Sequence, residues 1–156
     1  MRLSRGPVFI ELMGSWRKFC RLTKHDRRLA IEAAAAIVAN RLALRTAGYR
    51  HWRTFLSHIA KGPGHQWDSA SSIDRIAELV NSASRSLPFC PTCLERSLGL
   101  WWMLKRRGIE AEIQIGGRLS SNGFEAHAWV ECGGMPLNEA KDRDGNNLPI
   151  RSARVS

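Results

Sequence analysis

The 156-residue chain has few cysteines, no long hydrophobic run and only one tyrosine. Four cysteines are too few to build a disulfide scaffold, and two of them stand only three positions apart. Hydrophobic residues still make up 44% of the chain, which is enough to bury a core, so disorder throughout is excluded. The length fits one domain, or one domain with a helical appendage.

No segment has the pattern of an export signal or a membrane span. Glu11 and Lys18 interrupt what would be the apolar core of a signal peptide. The most apolar stretch, residues 29–44, contains the charged residues Glu32 and Arg41. It is also too short, because a helix needs about 20 apolar residues to cross a bilayer. We therefore expect a cytoplasmic protein with reduced cysteines, in which this stretch forms a buried or interfacial helix.

The net positive charge of the chain comes entirely from its first part. Residues 1–61 hold 13 basic and 3 acidic residues, whereas the remainder holds 11 of each. The change coincides with Lys61-Gly62-Pro63-Gly64, a segment that interrupts regular structure. We predict a basic helical region over residues 1–61 and a second domain over residues 66–150. The basic region is expected to bind an acidic partner protein, nucleic acid or an anionic membrane surface.

The spacing of apolar residues predicts helices first and strands afterwards. The predicted helices cover residues 8–22, 24 to about 47, 49–59, 71 to about 87, and 94–105. The predicted strands cover residues 110–115, 125–131 and 135–139, with a polar loop over residues 116–123 and a hairpin turn at Gly133-Gly134. This order predicts an α+β fold with antiparallel strands.

Three residues together suit nucleophilic catalysis. Cys93 is predicted at a helix start, where unpaired backbone N–H groups and the helix dipole favour a thiolate and can bind an oxyanion. His127 lies in the second predicted strand, and Glu139 ends the third. Neighbouring strands can bring the imidazole and the carboxylate together, so the carboxylate orients the ring that carries the proton.

Other interpretations of these residues stay open. A lone cysteine is more often a buried small residue, a histidine in an apolar strand is usually structural, and a glutamate at a strand end is usually solvated. Cys90 and Cys93 form a CxxC pair, which with His127 and Cys132 would supply four zinc ligands or, alone, a thiol-redox pair. The pI of about 10.5 also allows a nucleic-acid-binding module.

The residues around Cys93 and His127 resemble those of a known family. Residues 93–98, the pair Gly108-Ile109 before a strand, and residues 126–131 resemble the transglutaminase-like cysteine protease domain of lasso-peptide biosynthesis. In that family the protease removes the leader from a ribosomally made precursor. The resemblance implies a papain-like or transglutaminase-like α+β core, in which a helix bearing Cys93 packs on a small antiparallel sheet behind an N-terminal helical cap.

The resemblance also implies catalytic roles. Cys93 would be the nucleophile, His127 the general base and acid, and Glu139 the orienting carboxylate. The family most often has Asp at the third place, so Asp142 and Asp144, just beyond, are the other candidates. No metal and no cofactor is expected.

Partners follow from the same resemblance. The precursor peptide is the substrate, a separate leader-recognition protein grips the leader, and an ATP-dependent cyclase closes the ring in a bacterial cytoplasm. Our hypothesis is that Arg17, Lys18 and Arg21 belong to the docking surface for a partner. Specific nucleic-acid binding is not expected, whereas peripheral membrane contact through residues 29–44 would be compatible with the protease function.

Overall fold

The computed structural model describes residues 21–60, 70–120, 123–138 and 151–153. Within these residues four helices precede four strands: α1 (Lys24–Thr46), α2 (Gly48–Ile59), α3 (Ala70–Ser86), α4 (Cys93–Lys105), β1 (Glu112–Ser120), β2 (Gly123–Cys132), β3 (Met135–Pro136) and β4 (Arg151–Ala153). The predicted α+β fold is confirmed. The predicted helix over residues 8–22 lies almost entirely outside the described residues, as do Arg17 and Lys18.

Both ends of α1 lie close to the predicted bounds, and each is set by one neighbouring residue. The Thr23 hydroxyl accepts a 3.1 Å hydrogen bond from the backbone N–H of Asp26, which satisfies one donor at the start of the helix. The helix ends at Thr46, just before Gly48 takes a φ of +75° and turns the chain into α2. Glycine adopts this left-handed conformation without a steric penalty, so it is suited to the reversal.

Only one face of α1 is buried against the other described elements. Leu29, Ala33 and Ile37 recur at helical spacing and lie in the main hydrophobic core. Ile31 and Leu42 lie outside that face and are 58% and 61% exposed. The apolar stretch of α1 is therefore half buried. No helix in the described ranges is long and apolar enough to cross a membrane.

The core is shared by helices on both sides of the charge boundary. Ile37 of α1, Val80 of α3, and Leu98 and Leu104 of α4 all have no exposed surface and belong to one cluster. Burying a side chain of this size contributes about 1.5–3 kcal/mol of hydrophobic free energy. The helices before and after residue 61, where the charge changes, therefore share one core: α1 precedes this position, and α3 and α4 follow it.

The sheet is antiparallel and has the strand order β3-β2-β1-β4. β1 and β2 pair from Glu112 opposite Glu131 to Ser120 opposite Gly123. The predicted polar loop over residues 116–123 is therefore wrong, because residues 116–120 belong to β1. Gly116 and Gly117 have a low intrinsic preference for strands, but the backbone hydrogen bonds of the long hairpin outweigh that preference.

A tight turn connects β2 to β3 as predicted. Gly133 and Gly134 have φ angles of +57° and +79°, the pattern of a mirror-image hairpin turn. β3 contains only two residues, Met135 and Pro136, whereas the sequence predicted a strand that reaches Glu139. β4 pairs with β1 and has no predicted counterpart.

Candidate active site

Cys93 is the first residue of α4, and a capping box formed by its neighbours starts the helix. The Thr92 hydroxyl accepts a 3.2 Å hydrogen bond from the N–H of Glu95, and the Glu95 carboxylate accepts a 2.8 Å hydrogen bond from the N–H of Thr92. This reciprocal capping box fixes the backbone of the first turn. Cys93 is partly buried, whereas Cys90 is exposed.

Helix α1 holds the same turn from the side. The amide nitrogen of Asn40 donates a 2.9 Å hydrogen bond to the carbonyl of Glu95, and its amide oxygen accepts a 2.7 Å hydrogen bond from the Trp52 indole of α2. The Arg41 guanidinium lies over the ring of Phe89, 4.3 Å from its centroid. Because Asn40 is only 2% exposed, losing these bonds would leave buried polar groups without partners.

His127 lies within β2. Strand alternation places it on the same face as Trp129, and the two rings are nearly parallel with their centroids 6.1 Å apart. Val130 faces the other way and belongs to the helical core. The imidazole of His127 is therefore not on the sheet face that the helices cover.

The second turn of α4 contacts the edge of β2. The Ser97 hydroxyl donates a 2.9 Å hydrogen bond to the carbonyl of Ala128. Carbonyls lie in the plane of a sheet, and this one points toward β3, as does the carbonyl of Val130, which accepts from the N–H of Leu137. β3 is too short to reach Ala128, so Ser97 replaces a strand partner.

Helix α4 runs in the same direction as β2. Ser97 contacts Ala128, and one turn later the Trp101 indole donates a 3.0 Å hydrogen bond to the carbonyl of Ala111, just before β1. The first residue of β1 is paired with Glu131, near the end of β2. The helix therefore advances from the middle of β2 toward its end.

This direction fixes which end of β2 lies near Cys93. Cys93 is four positions before Ser97 and on the same face of α4, so it lies about 6 Å further back along the helix. About two strand residues cover that distance, and from Ala128 they lead back past His127. The direction of α4 therefore predicts that the helix start lies toward the His127 part of β2.

The third predicted residue is not among those described. Asn138 is the last residue before the gap, so Glu139, Asp142 and Asp144 all lie outside the described residues. The assignment of the orienting carboxylate stays a prediction.

Asn138 itself connects three elements. Its amide nitrogen donates a 2.9 Å hydrogen bond to the Ser97 hydroxyl, and its amide oxygen accepts a 2.7 Å hydrogen bond from the N–H of Val130. The side chain therefore joins α4, β2 and the segment that follows β3. No local pattern indicates this contact, because Ser97 and Asn138 are 41 positions apart. The capping box, by contrast, could have been found from the spacing of Thr92 and Glu95.

The cysteines do not form a metal site in the described part of the chain. Among those residues no three His, Cys, Asp or Glu side chains are grouped closely enough to bind an ion. Cys90, Cys93, His127 and Cys132 are all described, and the Cys132 sulfur instead lies 3.3 Å from the carbonyl of Glu110. The structural-zinc alternative is therefore set aside.

Comparison with known proteins gives a family match over most of the chain. A family model described as the transglutaminase-like superfamily matches residues 23–150, a span that includes Cys93, His127 and Glu139. No curated protein and no solved structure gives a significant match.

Proposed function

Because the chain belongs to the transglutaminase-like superfamily, whose members are typically cysteine hydrolases or transferases, we propose that it is a cysteine peptidase that removes the leader from a lasso-peptide precursor. In this proposal Cys93 is the nucleophile, His127 is the general base and acid, and Glu139 orients the imidazole. The substrate class is proposed from the resemblance of residues 93–98 and 126–131 to lasso-peptide leader peptidases.

One geometric observation carries the proposal. The cysteine occupies the first position of a capped helix, and the contacts of Ser97 with Ala128 and of Trp101 with Ala111 support an orientation in which the start of that helix lies toward His127. A helix start supplies backbone N–H groups that favour a thiolate and can receive an oxyanion. In the proposal, His127 of β2 supplies the proton transfer that acyl transfer requires.

In the first step the Cys93 thiolate attacks the carbonyl carbon of the scissile peptide bond. A C–S bond forms, and the carbonyl electron pair moves to the oxygen, which the N–H groups at the start of α4 stabilise. The C–N bond then breaks as the His127 imidazolium donates its proton to the leaving amine. The leader remains attached as a thioester, and the core peptide leaves with a free amino terminus.

In the second step water hydrolyses the thioester. His127 accepts a proton from the attacking water, the C–S bond breaks, and the thiolate of Cys93 is restored. The leader departs with a new carboxylate. Glu139 accepts a hydrogen bond from the other ring nitrogen, which fixes the tautomer and stabilises the imidazolium.

The proposal includes partner proteins. A leader-recognition protein presents the precursor, and a cyclase uses the amine that the first step releases. This sequence of events belongs in the cytoplasm, where the thiol stays reduced. Arg21, the member of the proposed docking set that the structure describes, is exposed. Reversing the charges of Arg17, Lys18 and Arg21 should weaken partner binding while the chain stays folded, and unchanged binding would remove the docking hypothesis.

The test is to incubate the full chain with a candidate precursor, with and without the leader-recognition protein, and to follow the masses of the products. Cys93→Ala should abolish cleavage, whereas the matched variant Cys90→Ala should retain it. An inactive Cys90→Ala beside an active Cys93→Ala would mean that the nucleophile is misassigned. Equal loss in both variants would favour the thiol-redox alternative, which an insulin-reduction assay checks.

A further inference from the structure

Three buried hydrogen bonds meet at Ser97 and Asn138. Asn138 donates to the Ser97 hydroxyl and accepts from the N–H of Val130, while Ser97 donates to the carbonyl of Ala128. Ser97 has no exposed surface and Asn138 is 6% exposed. Bulk water therefore cannot replace these bonds without a structural change.

The donor and acceptor of each of these hydrogen bonds follow from the chemistry of the groups. The N–H of Val130 can only donate, so the atom of Asn138 that faces it is the amide oxygen, and the amide nitrogen faces Ser97. The serine oxygen accepts a hydrogen bond from that nitrogen, and its own O–H donates a hydrogen bond to the carbonyl of Ala128. Each of the three bonds therefore has a defined donor and acceptor.

We propose that Ser97 and Asn138 form a positioning bracket that sets the alignment of Cys93 with His127, an inference that rests on the proposed function. Ser97 lies one turn after Cys93 on α4, and the bracket's two backbone partners lie on the strand of His127. Asn138 also immediately precedes Glu139. The bracket therefore links the helix of Cys93 to the strand of His127.

The bracket supplies directional contacts at the point where no described strand pairs with β2 on the β3 side. Apolar packing between α4 and β2 is non-directional and sets their relative position less sharply. Hydrogen bonds have narrow distance ranges, about 2.7–3.2 Å for N–H···O. A displacement of about 1 Å in a catalytic group can reduce a rate about 100-fold, so control of this alignment has a large effect.

The pH dependence of Cys93 alkylation tests the bracket without needing a substrate. The reaction with iodoacetamide is followed by mass spectrometry in full-length protein carrying Cys90→Ala, so that the peptide containing residue 93 has one thiol. Two proteins define the limiting pH profiles of the alkylation rate: the one that carries Cys90→Ala alone, and the one that carries His127→Ala in addition. In Ser97→Ala and Asn138→Ala the profile should move toward that of His127→Ala. The rate at about pH 6 should fall about tenfold in both variants.

Cleavage kinetics give a second readout. In Ser97→Ala and Asn138→Ala the kcat for leader removal should fall about 10- to 100-fold while KM stays within about threefold, because the bracket does not touch the substrate. Ser97→Thr keeps the hydroxyl and should retain both the kcat and the pH profile.

Ser84→Ala is the matched control. Ser84 is 5% exposed, and its hydroxyl donates a 2.8 Å hydrogen bond to the carbonyl of Asn81 within α3. This substitution removes a buried hydroxyl of the same kind but no link between α4 and β2. The alkylation profile should stay as in the wild type.

The outcomes separate the bracket from the proposed function. A wild-type profile in folded Ser97→Ala and Asn138→Ala, beside a shifted profile in His127→Ala, would overturn the bracket alone. A wild-type profile in His127→Ala would overturn the Cys93–His127 pairing and the bracket with it. If the alanine variants do not fold, Asn138→Asp decides, because it keeps the size and the acceptor for Val130 but cannot donate to Ser97. The single hydroxyl proton of Ser97 can then bond either the carboxylate or the carbonyl of Ala128, not both, so one of the bracket's bonds is lost. An unshifted profile in that variant would also overturn the bracket.

Discussion

The side-chain amide of Asn40 donates a 2.9 Å hydrogen bond to the backbone carbonyl of Glu95 and so joins the middle of α1 to the first turn of α4. The same side chain accepts a hydrogen bond from Trp52 of α2. One residue of the basic N-terminal region therefore supports the turn that carries Cys93. This region takes part in building the candidate site.

Asn40→Ala should lower the free energy of unfolding by about 2–3 kcal/mol, because it removes two buried hydrogen bonds and opens a void. Urea unfolding measures the change. Asn81→Ala, a partly buried position on α3, is the control and should cost less than about 0.5 kcal/mol. A loss at Asn40 no larger than the loss at Asn81 would contradict the role given to this contact.

Thr92→Ala should lower stability by about 1 kcal/mol, because the N–H of Glu95 loses its acceptor at the helix start. Thermal unfolding should show a decrease in Tm of about 2–4 °C for a chain of this size. Thr92→Ser keeps the hydroxyl and should stay within about 0.5 kcal/mol of the wild type. Equal losses in the two variants would show that the hydroxyl cap is not the cause.

Asp26 of α1 and Arg75 of α3 form an ion pair with a 2.9 Å separation. The hydrogen bond from Arg75 holds the pKa of Asp26 below its usual value of 3.8. A carboxyl whose folded pKa lies below its unfolded pKa stabilises the fold at pH values above the unfolded pKa. That stabilisation is lost as the pH falls through the folded pKa.

Asp26→Asn should therefore cost about 0.5–1 kcal/mol at neutral pH, the range for a partly exposed ion pair. The difference from wild type should shrink as the pH is lowered from about 5 toward about 3, because the native carboxylate then becomes protonated. Urea unfolding across this pH range measures it. Glu78→Gln, which removes the 68% exposed second partner of Arg75, should have a smaller effect. A constant difference at all pH values would contradict the ion pair as the cause.

Gly133→Ala should destabilise the β2–β3 hairpin by about 1–2 kcal/mol, the cost of a left-handed backbone for a residue with a Cβ. An added Cβ would meet no atom within 4 Å, so the cost comes from the backbone alone. Gly133→Asn should cost less, since asparagine tolerates this conformation at hairpin turns. Equal unfolding free energies for the two variants would be inconsistent with this explanation.

Elements with local signals were predicted from the sequence. The bounds of α1 and the Gly133-Gly134 turn each depend on a few neighbouring residues, which for α1 are Thr23 at its start and Gly48 after its end. The start of α4 at Cys93 belongs to the same group, because the capping spacing from Thr92 to Glu95 is local.

Features that depend on distant partners were missed. Residues 116–120 form a strand because they pair with β2, and β4 exists because it pairs with β1. Asn40 and Glu95 are 55 positions apart, and the contact of Ser97 with Ala128 spans 31 positions. Hydrophobic period and turn residues carry no information about such contacts, which are decided by how the helices pack beside the sheet.

β3 is the outer strand on one side of the sheet, and it ends in Pro136 after two residues. Proline has no N–H to offer, so this flank cannot present a continuous hydrogen-bonding ladder to another molecule. Addition of a strand from another molecule at this edge is therefore disfavoured. At high protein concentration, aggregation through an intermolecular sheet should not begin at β3.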